Sequence, residues 1–418
     1  MSKVLGIIAE YNPFHNGHLY HLKKSKELTG ADYTVAVISG NFTQRGSTSV
    51  IDKWSKAEMA LNNGIDLVIE LPVWYSISSA ENFANGAVKL LSSLGIIDYL
   101  SFGSETSDIR LLKSIADILC DEPLEFKNIL TNELKSGISF PKARENAVVN
   151  YFEGNYVSDD LNISSIRNVL SSPNNILGIE YLKALKKCNS SISPVCVPRI
   201  EVGYNDINSS NNFASATAIR NLLKNDDFDA IKNLVPSKSY SILMDCVNSG
   251  NLITDLNCFE KEIFYVLRKM SINEIANLPD VSEGLEFNIK KASVFCNNLS
   301  ELIDTLKSKR YALTRIQRIL LYALLGITKD DMELSKKCCP FARVLGFNDN
   351  GKKLISKIKL KNPNVPIVTS VKKFLSSDFD DNLKNMLYTD IFATNVYSLE
   401  FNNNCTGNLD FTHKIIKK

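Results

Sequence analysis

Three of the chain's four histidines, His15, His18 and His21, fall within seven residues. The first two belong to Glu10-Tyr11-Asn12-Pro13-Phe14-His15-Asn16-Gly17-His18, a run with the spacing His-x-Gly-His. Two imidazoles three residues apart at a helix start can lean toward one phosphate chain. Each can donate an N–H to oxygens that gain charge as pyrophosphate leaves. Gly17 has no Cβ, so a nucleotide can approach the backbone there. A His pair at i and i+3, taken alone, reads more readily as a surface or metal-like feature. Its place directly after a first strand, beside Asn12-Pro13 and Gly17, favours nucleotide chemistry. His21, one helical turn further on, reads as a flanking residue.

A second constellation, Ser215-Ala216-Thr217-Ala218-Ile219-Arg220, sets hydroxyls, first-turn amides and a guanidinium at one helix start, with Ser215 a candidate N-cap. Alanine at its second and fourth places leaves Ser215, Thr217 and Arg220 as its polar candidates. Capped helices that begin Ser-x-Thr are common, so this motif gains weight only from its pairing with His-x-Gly-His.

The elements that must position these groups are legible in the first hundred residues. Strands are expected at Lys3–Ala9, Tyr33–Ser39, Asp66–Leu71 and Asp98–Phe102, and helices at His18–Leu28, Lys53–Asn62 and Ala80–Leu94. Gly30, Gly64 and Gly95 stand where left-handed helix ends are wanted. This alternation predicts an α/β fold with right-handed crossovers and a parallel sheet, its ligand at the carboxyl ends of the strands. The loop Tyr11–Asn16 and those opening at Gly40 and Gly103 lie at such ends. A strand, a tight loop and a helix also predict that helix amides meet a phosphate. Residues 108–152 read as helical, Pro173-Asn174-Asn175 opens a helix over Ile176–Lys187, Ser193–Ile200 is β-like, and Asn205–Phe213 is loop-like.

A chain of 418 residues exceeds one ordinary domain. The α/β unit is placed at 1–236 and a mainly helical, basic region at 237–418. Between Lys307 and Lys373 sixteen Lys/Arg face four Asp/Glu, a local net of +12, so the remainder carries −10 against a whole-chain +2. That asymmetry favours a polyanionic partner over a merely solvated helix surface, with Arg310, Arg315 and Arg318 as the candidate nucleic-acid contacts. The nine cysteines form no CxxC pair and read as free, mostly buried thiols of a reducing cytoplasm. The first apolar run is strand-length, without a basic lead or cleavage site, and no window reaches the ~18 apolar residues of a membrane span. A cytoplasmic protein with no membrane association is therefore expected.

The two constellations resemble the HxGH and (S/T)xxxxR signatures of the HIGH-type nucleotidyltransferase superfamily, whose Rossmann-like fold serves attack on the α-phosphate of ATP. Gly6–His18, Ser39-Gly40-Asn41-Phe42-Thr43-Gln44-Arg45-Gly46, Phe102-Gly103-Ser104-Glu105, Pro173–Leu177 and Ala214–Arg220 together resemble the bacterial tRNA(Met) cytidine acetate ligases. That resemblance implies ATP-dependent activation of acetate as acetyl-adenylate, and acetyl transfer to the wobble cytidine of elongator tRNA(Met). It assigns ATP to Ile7, Ile8, Ala9, Glu10, Tyr11, Asn12, Pro13, Phe14, His15, Asn16, Gly17, His18, Leu19 and Tyr20, with His15 and His18 catalytic on the phosphates. Gly103, Asn174 or Asn175, Arg199, Ser215, Thr217 and Arg220 complete the expected site. No carboxylate cluster suggests a protein-borne metal, so Mg²⁺ is expected to be held by the nucleotide. Nothing calls for an obligate protein partner. Gln44, Arg45 and Asp52 are placed beside the acceptor base, or else in a purely structural loop. A small-molecule adenylyltransferase is the alternative, disfavoured by the extra length and the basic helical half; a non-catalytic RNA-binding protein is disfavoured by the intact His15, Gly17, His18 and Arg220.

Overall fold

The computed structural model describes residues 2–106, 108–155, 163–199, 212–308, 310–402 and 405–418, the side chains of 141 and 163 aside. One sheet of eight strands organises them: β1 (Val4–Ala9), β2 (Tyr33–Ser39), β3 (Leu67–Leu71), β4 (Tyr99–Ser104), β5 (Ser193–Pro198), β6 (Ala342–Phe347), β7 (Ile367–Val368) and β8 (Ile416–Lys417). Their order is β5-β4-β1-β2-β3-β6-β7, with β8 on β6. β1 to β5 are mutually parallel, whereas β6 runs antiparallel to β3.

The first strand shows why the sheet is central. Its alternate side chains enter two separate cores, Leu5 and Ile7 on one face and Val4 and Ile8 on the other. Strands buried on both faces read as continuous apolar runs, as this one does. Helices α1 (Asn16–Thr29) and α2 (Lys53–Asn62) pack on the Leu5 face, and α3 (Ala80–Ser93) and α4 (Pro173–Lys187) on the other. Further along come α5 (Ala216–Lys224), α6 (Glu260–Lys269), α7 (Leu313–Leu325) and α8 (Asp349–Lys361). Gly30, Gly64 and Gly95 have φ of 60°, 103° and 66°, the left-handed conformation expected at the helix ends.

Strand order reverses at β1: β2 and β3 extend one way, and β4 returns to the other side. The crevice between the carboxyl ends of β1 and β4 is thus the topological switch point, where open α/β sheets bind ligands. The His-x-Gly-His loop leaves β1 there, and Gly103-Ser104-Glu105 ends β4 there.

The C-terminal region is mainly helical, yet the sheet takes strands from both sides of residue 236. β6 pairs Arg343 with Glu70 of β3. Around them Lys53 meets Glu70 at 3.1 Å and Asp410 at 2.7 Å, and Arg343 meets Glu70 at 3.1 Å and also pairs with Asp410, all four side chains buried. Removing one member would strand the remaining charges in the interior. Two expectations shift. All nine cysteines are free, but only Cys246 and Cys296 are buried, while Cys339 and Cys405 are exposed. The β-like run ends at Pro198, and most of the expected loop Asn205–Phe213 lies outside the described residues.

Candidate active site

The first helix of the site starts two residues earlier than its apolar pattern suggests, because a histidine caps it. His15 has extended backbone (φ −129°, ψ 176°), and its Nδ1 accepts the Gly17 amide at 3.0 Å. His18, at the third helical position, accepts the His15 amide on its own Nδ1 at 3.2 Å. This is a capping box built from two imidazoles in place of Ser and Glu. With both Nδ1 atoms accepting, each neutral ring carries its proton on Nε2. The ring centroids lie 3.9 Å apart, tilted by 34°. A Cβ on residue 17 would stand 2.8 Å from His15 Cε1, so glycine is required there by the capping ring itself.

Burial, then the charges of Arg199 and Arg220, push the His15 imidazolium pKa down to about 3. Burial, then His15, Arg199 and His21, hold His18 well below its ordinary value. His21 is lowered to about 4, by burial first and then Arg199. All three imidazoles are therefore neutral at pH 7. His21 does more than flank the site: its Nε2 lies 3.1 Å from Ser101 Oγ on β4, with Ser25 Oγ 2.7 Å from the same oxygen. These bonds tie α1 to β4 beneath the crevice.

The loop between β1 and α1 is held from several sides. Tyr11 takes a left-handed φ of 48°, uncommon for a bulky residue. Asn12 donates to the Thr48 carbonyl at 3.0 Å and accepts the Val50 amide at 2.8 Å. Asn16 donates to the carbonyls of Asn212 and Asn233. Glu10 accepts the Gln44 amide at 2.8 Å. Pro13 and Phe14 are buried, the Phe14 ring 5.5 Å from His18. Leu19 is half-buried, and Tyr20 meets Phe213 with ring centroids 6.2 Å apart.

Arg220 joins the two constellations. Its Nη1 donates to the Asn12 carbonyl at 3.0 Å and its Nη2 to Thr217 Oγ1 at 2.9 Å. Ser215 caps α5, accepting the Ala218 amide at 3.1 Å. The expectation that α1 amides meet phosphate is corrected. The Asn16 amide is bonded to Leu234 O, Gly17 to His15 Nδ1, and His18 and Leu19 to His15 O. The amides of Ala216 and Thr217 on α5 have no such partner among the described residues, so this helix start is the one that offers donors to an anion.

At β4 the two asparagines separate. Asn175 is 2% exposed, and its Oδ1 accepts from Ser104 Oγ and the amides of Glu105 and Thr106. It shapes the loop. Asn174 is half-buried and its Oδ1 accepts from Arg199 Nη1 at 3.4 Å. Arg199 passes over Gly103, where a Cβ would come 3.4 Å from its Cγ. Asp52, placed beside the acceptor base as one option, caps α2 through Trp54 and Ser55, and Arg45 is exposed.

Lys56 escaped sequence reasoning. It is fully buried and donates to the carbonyls of Glu10, Ser39 and Gly40 at 3.1, 2.8 and 2.6 Å, tying the ends of β1 and β2 together. Burial lowers its ammonium pKa to about 8. A lysine on an exposed helix face and one buried under strand ends look alike in sequence. The three candidate RNA-contact arginines are not gathered on a free face. Arg315 donates twice to the Asp280 carbonyl, Arg318 is 9% exposed and paired with the Asp280 carboxylate at 3.0 Å, and Arg310 meets Glu283 at 2.6 Å. Among the described residues, no group of three or more His, Cys, Asp or Glu is placed to hold a metal ion.

A Rossmann-like sheet with paired imidazoles at its switch point defines a nucleotidyl transferase. The HIGH Nucleotidyl Transferase family model matches residues 2–410. The chain is 46% identical over 419 residues to the tRNA(Met) cytidine acetate ligase of Thermoanaerobacter sp. (strain X514), covering 99% of each. It is 47% identical over 417 residues to that of Caldanaerobacter subterraneus subsp. tengcongensis, covering 99% of this chain and 100% of the relative. The crystal structure of Thermotoga maritima TmcAL bound with alpha-thio ATP superposes with a TM-score of 0.92 at 35% identity, covering 99% of both chains. The chain belongs to the HIGH nucleotidyl transferase family and, within it, to the tRNA(Met) cytidine acetate ligases.

Proposed function

We propose that this chain activates acetate with ATP and acetylates the wobble cytidine of elongator tRNA(Met). In the first step an acetate oxygen attacks the α-phosphorus, the bond to the β-phosphate breaks, and pyrophosphate leaves with the bonding pair. In the second the cytidine N4 attacks the acetyl carbon, the bond to AMP breaks, and N4 loses a proton to give N4-acetylcytidine. Acetate needs the first step because its carboxylate resists attack, whereas an acyl phosphate carries a good leaving group.

The observation that carries the reading is the pair of neutral imidazoles whose Nδ1 atoms are both engaged, leaving two Nε2–H donors at the crevice. Donors fixed before reaction stabilise developing charge without reorganising. Ile7 to Tyr20, Gly103, Asn174, Arg199, Ser215, Thr217 and Arg220 form the ATP site in this proposal, with Asn175 supporting the β4 loop. Magnesium, if carried on the nucleotide, would be held by its phosphates rather than by side chains of this chain, and would supply charge neutralisation there. The tRNA and acetate parts are supported by the relatives' names over nearly the whole chain. No helix among the described residues is long and apolar enough to cross a membrane, and we place the protein in the cytoplasm.

Radiolabelled acetate should enter unmodified tRNA(Met) only when ATP is present. Acetate-dependent pyrophosphate release with no label in any tRNA would remove the acceptor assignment and leave a small-molecule ligase.

A further inference from the structure

A shallow groove of about 560 Å³ runs along α6, lined by Lys261, Phe264, Tyr265, Arg268, Lys269 and Asn297 among others. Its chemistry is not that of a solvated helix surface. Tyr265 is 66% exposed, an amphipathic ring standing in water. The Arg268 guanidinium carbon lies 5.0 Å from the centroid of the buried Phe264 ring, and its Nε donates to the Ser293 carbonyl at 2.8 Å. The guanidinium is thus already held over an aromatic ring, a fixed cationic platform. Lys261 and Lys269 are exposed; each feels a carboxylate, Glu400 and Glu274 respectively, without closing a salt bridge to it among the described residues. The one acidic lining residue, Glu260, is turned to another task, accepting the Leu299 amide at 2.8 Å.

The segment leading into α6 packs against the loop that supports the nucleotide site. Phe259, which precedes α6, meets Phe42 of the loop after β2 with ring centroids 6.1 Å apart. Ile253, shortly before it, donates its amide to Val50 O at 3.0 Å. That same loop holds Asn12 through Thr48 and Val50, three residues from His15.

An exposed aromatic ring, a guanidinium held over a ring and two exposed ammonium groups are the parts with which proteins hold unstacked nucleotides: the rings take base faces and the cations take phosphates. We infer that the α6 groove binds single-stranded nucleotides of the RNA substrate that adjoin the target cytidine. This rests on the RNA-acetylating reading above and locates a surface for that substrate. It departs from the arginines of α7, whose guanidinium groups are already engaged within the protein.

The test uses the full-length protein and a fluorescent anticodon stem–loop of unmodified tRNA(Met). Tyr265→Ala should weaken stem–loop binding roughly 5- to 150-fold, the loss of one stacked base, while Tyr265→Phe binds as wild type. Lys261→Gln with Lys269→Gln should flatten the slope of log affinity against log salt by about 1.4, for two phosphates of a single strand. Acetate-dependent exchange of pyrophosphate into ATP should stay within about twofold in every variant, because these residues lie outside the nucleotide site. Unchanged stem–loop affinity in Tyr265→Ala overturns the inference. So does weakened binding seen only with whole tRNA, or a change of oligomeric state in the variants, which would make the groove a contact between copies. Wild-type protein that binds the stem–loop but never acetylates it sinks the acetylation reading instead, and the binding comparison still decides the groove.

Discussion

His15 Nδ1 caps the helix that carries His18, and His18 Nδ1 accepts the His15 amide at 3.2 Å, so a backbone amide holds each of the two rings in one tautomer. The pair works as a unit: what holds the helix start also aims two donors at the crevice.

Capping and catalysis can be separated at His15. Asparagine is a good N-cap whose Oδ1 can take the place of Nδ1, but it cannot reproduce the Nε2 donor. His15→Asn should lower the rate of acetate-dependent pyrophosphate exchange by roughly 10²- to 10³-fold, as expected for losing one preorganised donor. Its melting temperature should stay within a few degrees of wild type. An equally stable variant with full exchange activity would show that His15 is a cap and nothing more.

Arg220 joins the His-x-Gly-His loop to α5 through two different nitrogens of one planar group. A lysine cannot span both acceptors. Arg220→Lys is expected to reduce kcat/KM for ATP roughly 10- to 150-fold, the worth of hydrogen bonds from a charged group. Thr217→Ala should cost far less, since the Asn12 contact survives. Steady-state exchange kinetics with ATP varied would reveal the opposite ranking if Thr217 were the main support.

Acid should destabilise the fold before the carboxylates titrate. His15, with a folded pKa of about 3, and His21, at about 4, refuse protons that the unfolded chain accepts near 6.5. Their contribution is complete above pH 6.5 and is lost as pH falls from 6.5 toward 4. Urea midpoints measured between pH 7 and 5 should therefore decline on acidification, and decline less steeply in His15→Asn. Parallel pH curves for the two proteins would rule out this source.

Arg318 is expected to matter to stability rather than to RNA. Arg318→Ala leaves Asp280 without its partner and should cost about 1–3 kcal/mol by denaturant melting. Arg310→Ala, at an exposed pair, should be nearly neutral. A changed salt dependence of tRNA binding in Arg318→Ala, with stability intact, would restore it as a phosphate contact.

Much of this was readable from residue order. Apolar runs located β1 to β4 within a few residues, and Gly30, Gly64 and Gly95 marked the turns because only their freedom at positive φ suits those positions. The helix begins at Asn16, two residues before its apolar pattern suggests: its cap is a histidine, which is not among the usual capping residues. Lys56 is illegible for a different reason. A lysine bound to three carbonyls has the same local sequence signature as a solvated charge, whereas Asp52 stands directly before the expected helix start at Lys53, an ordinary capping position.

By itself, the sequence determined the chemistry: paired imidazoles around Gly17, the Ser215–Arg220 motif, and the alternation that makes a parallel sheet, all of which depend on local spacing. Only the tertiary structure decided how those parts meet. It brought Arg220 to the carbonyl of Asn12 across 208 residues and gave Asn174 and Asn175 different tasks. It also returned β6 from the helical half to pair with β3, and it spent Arg315 and Arg318 on Asp280. These outcomes depend on which buried polar groups find partners in the folded chain, and that is settled by non-local packing.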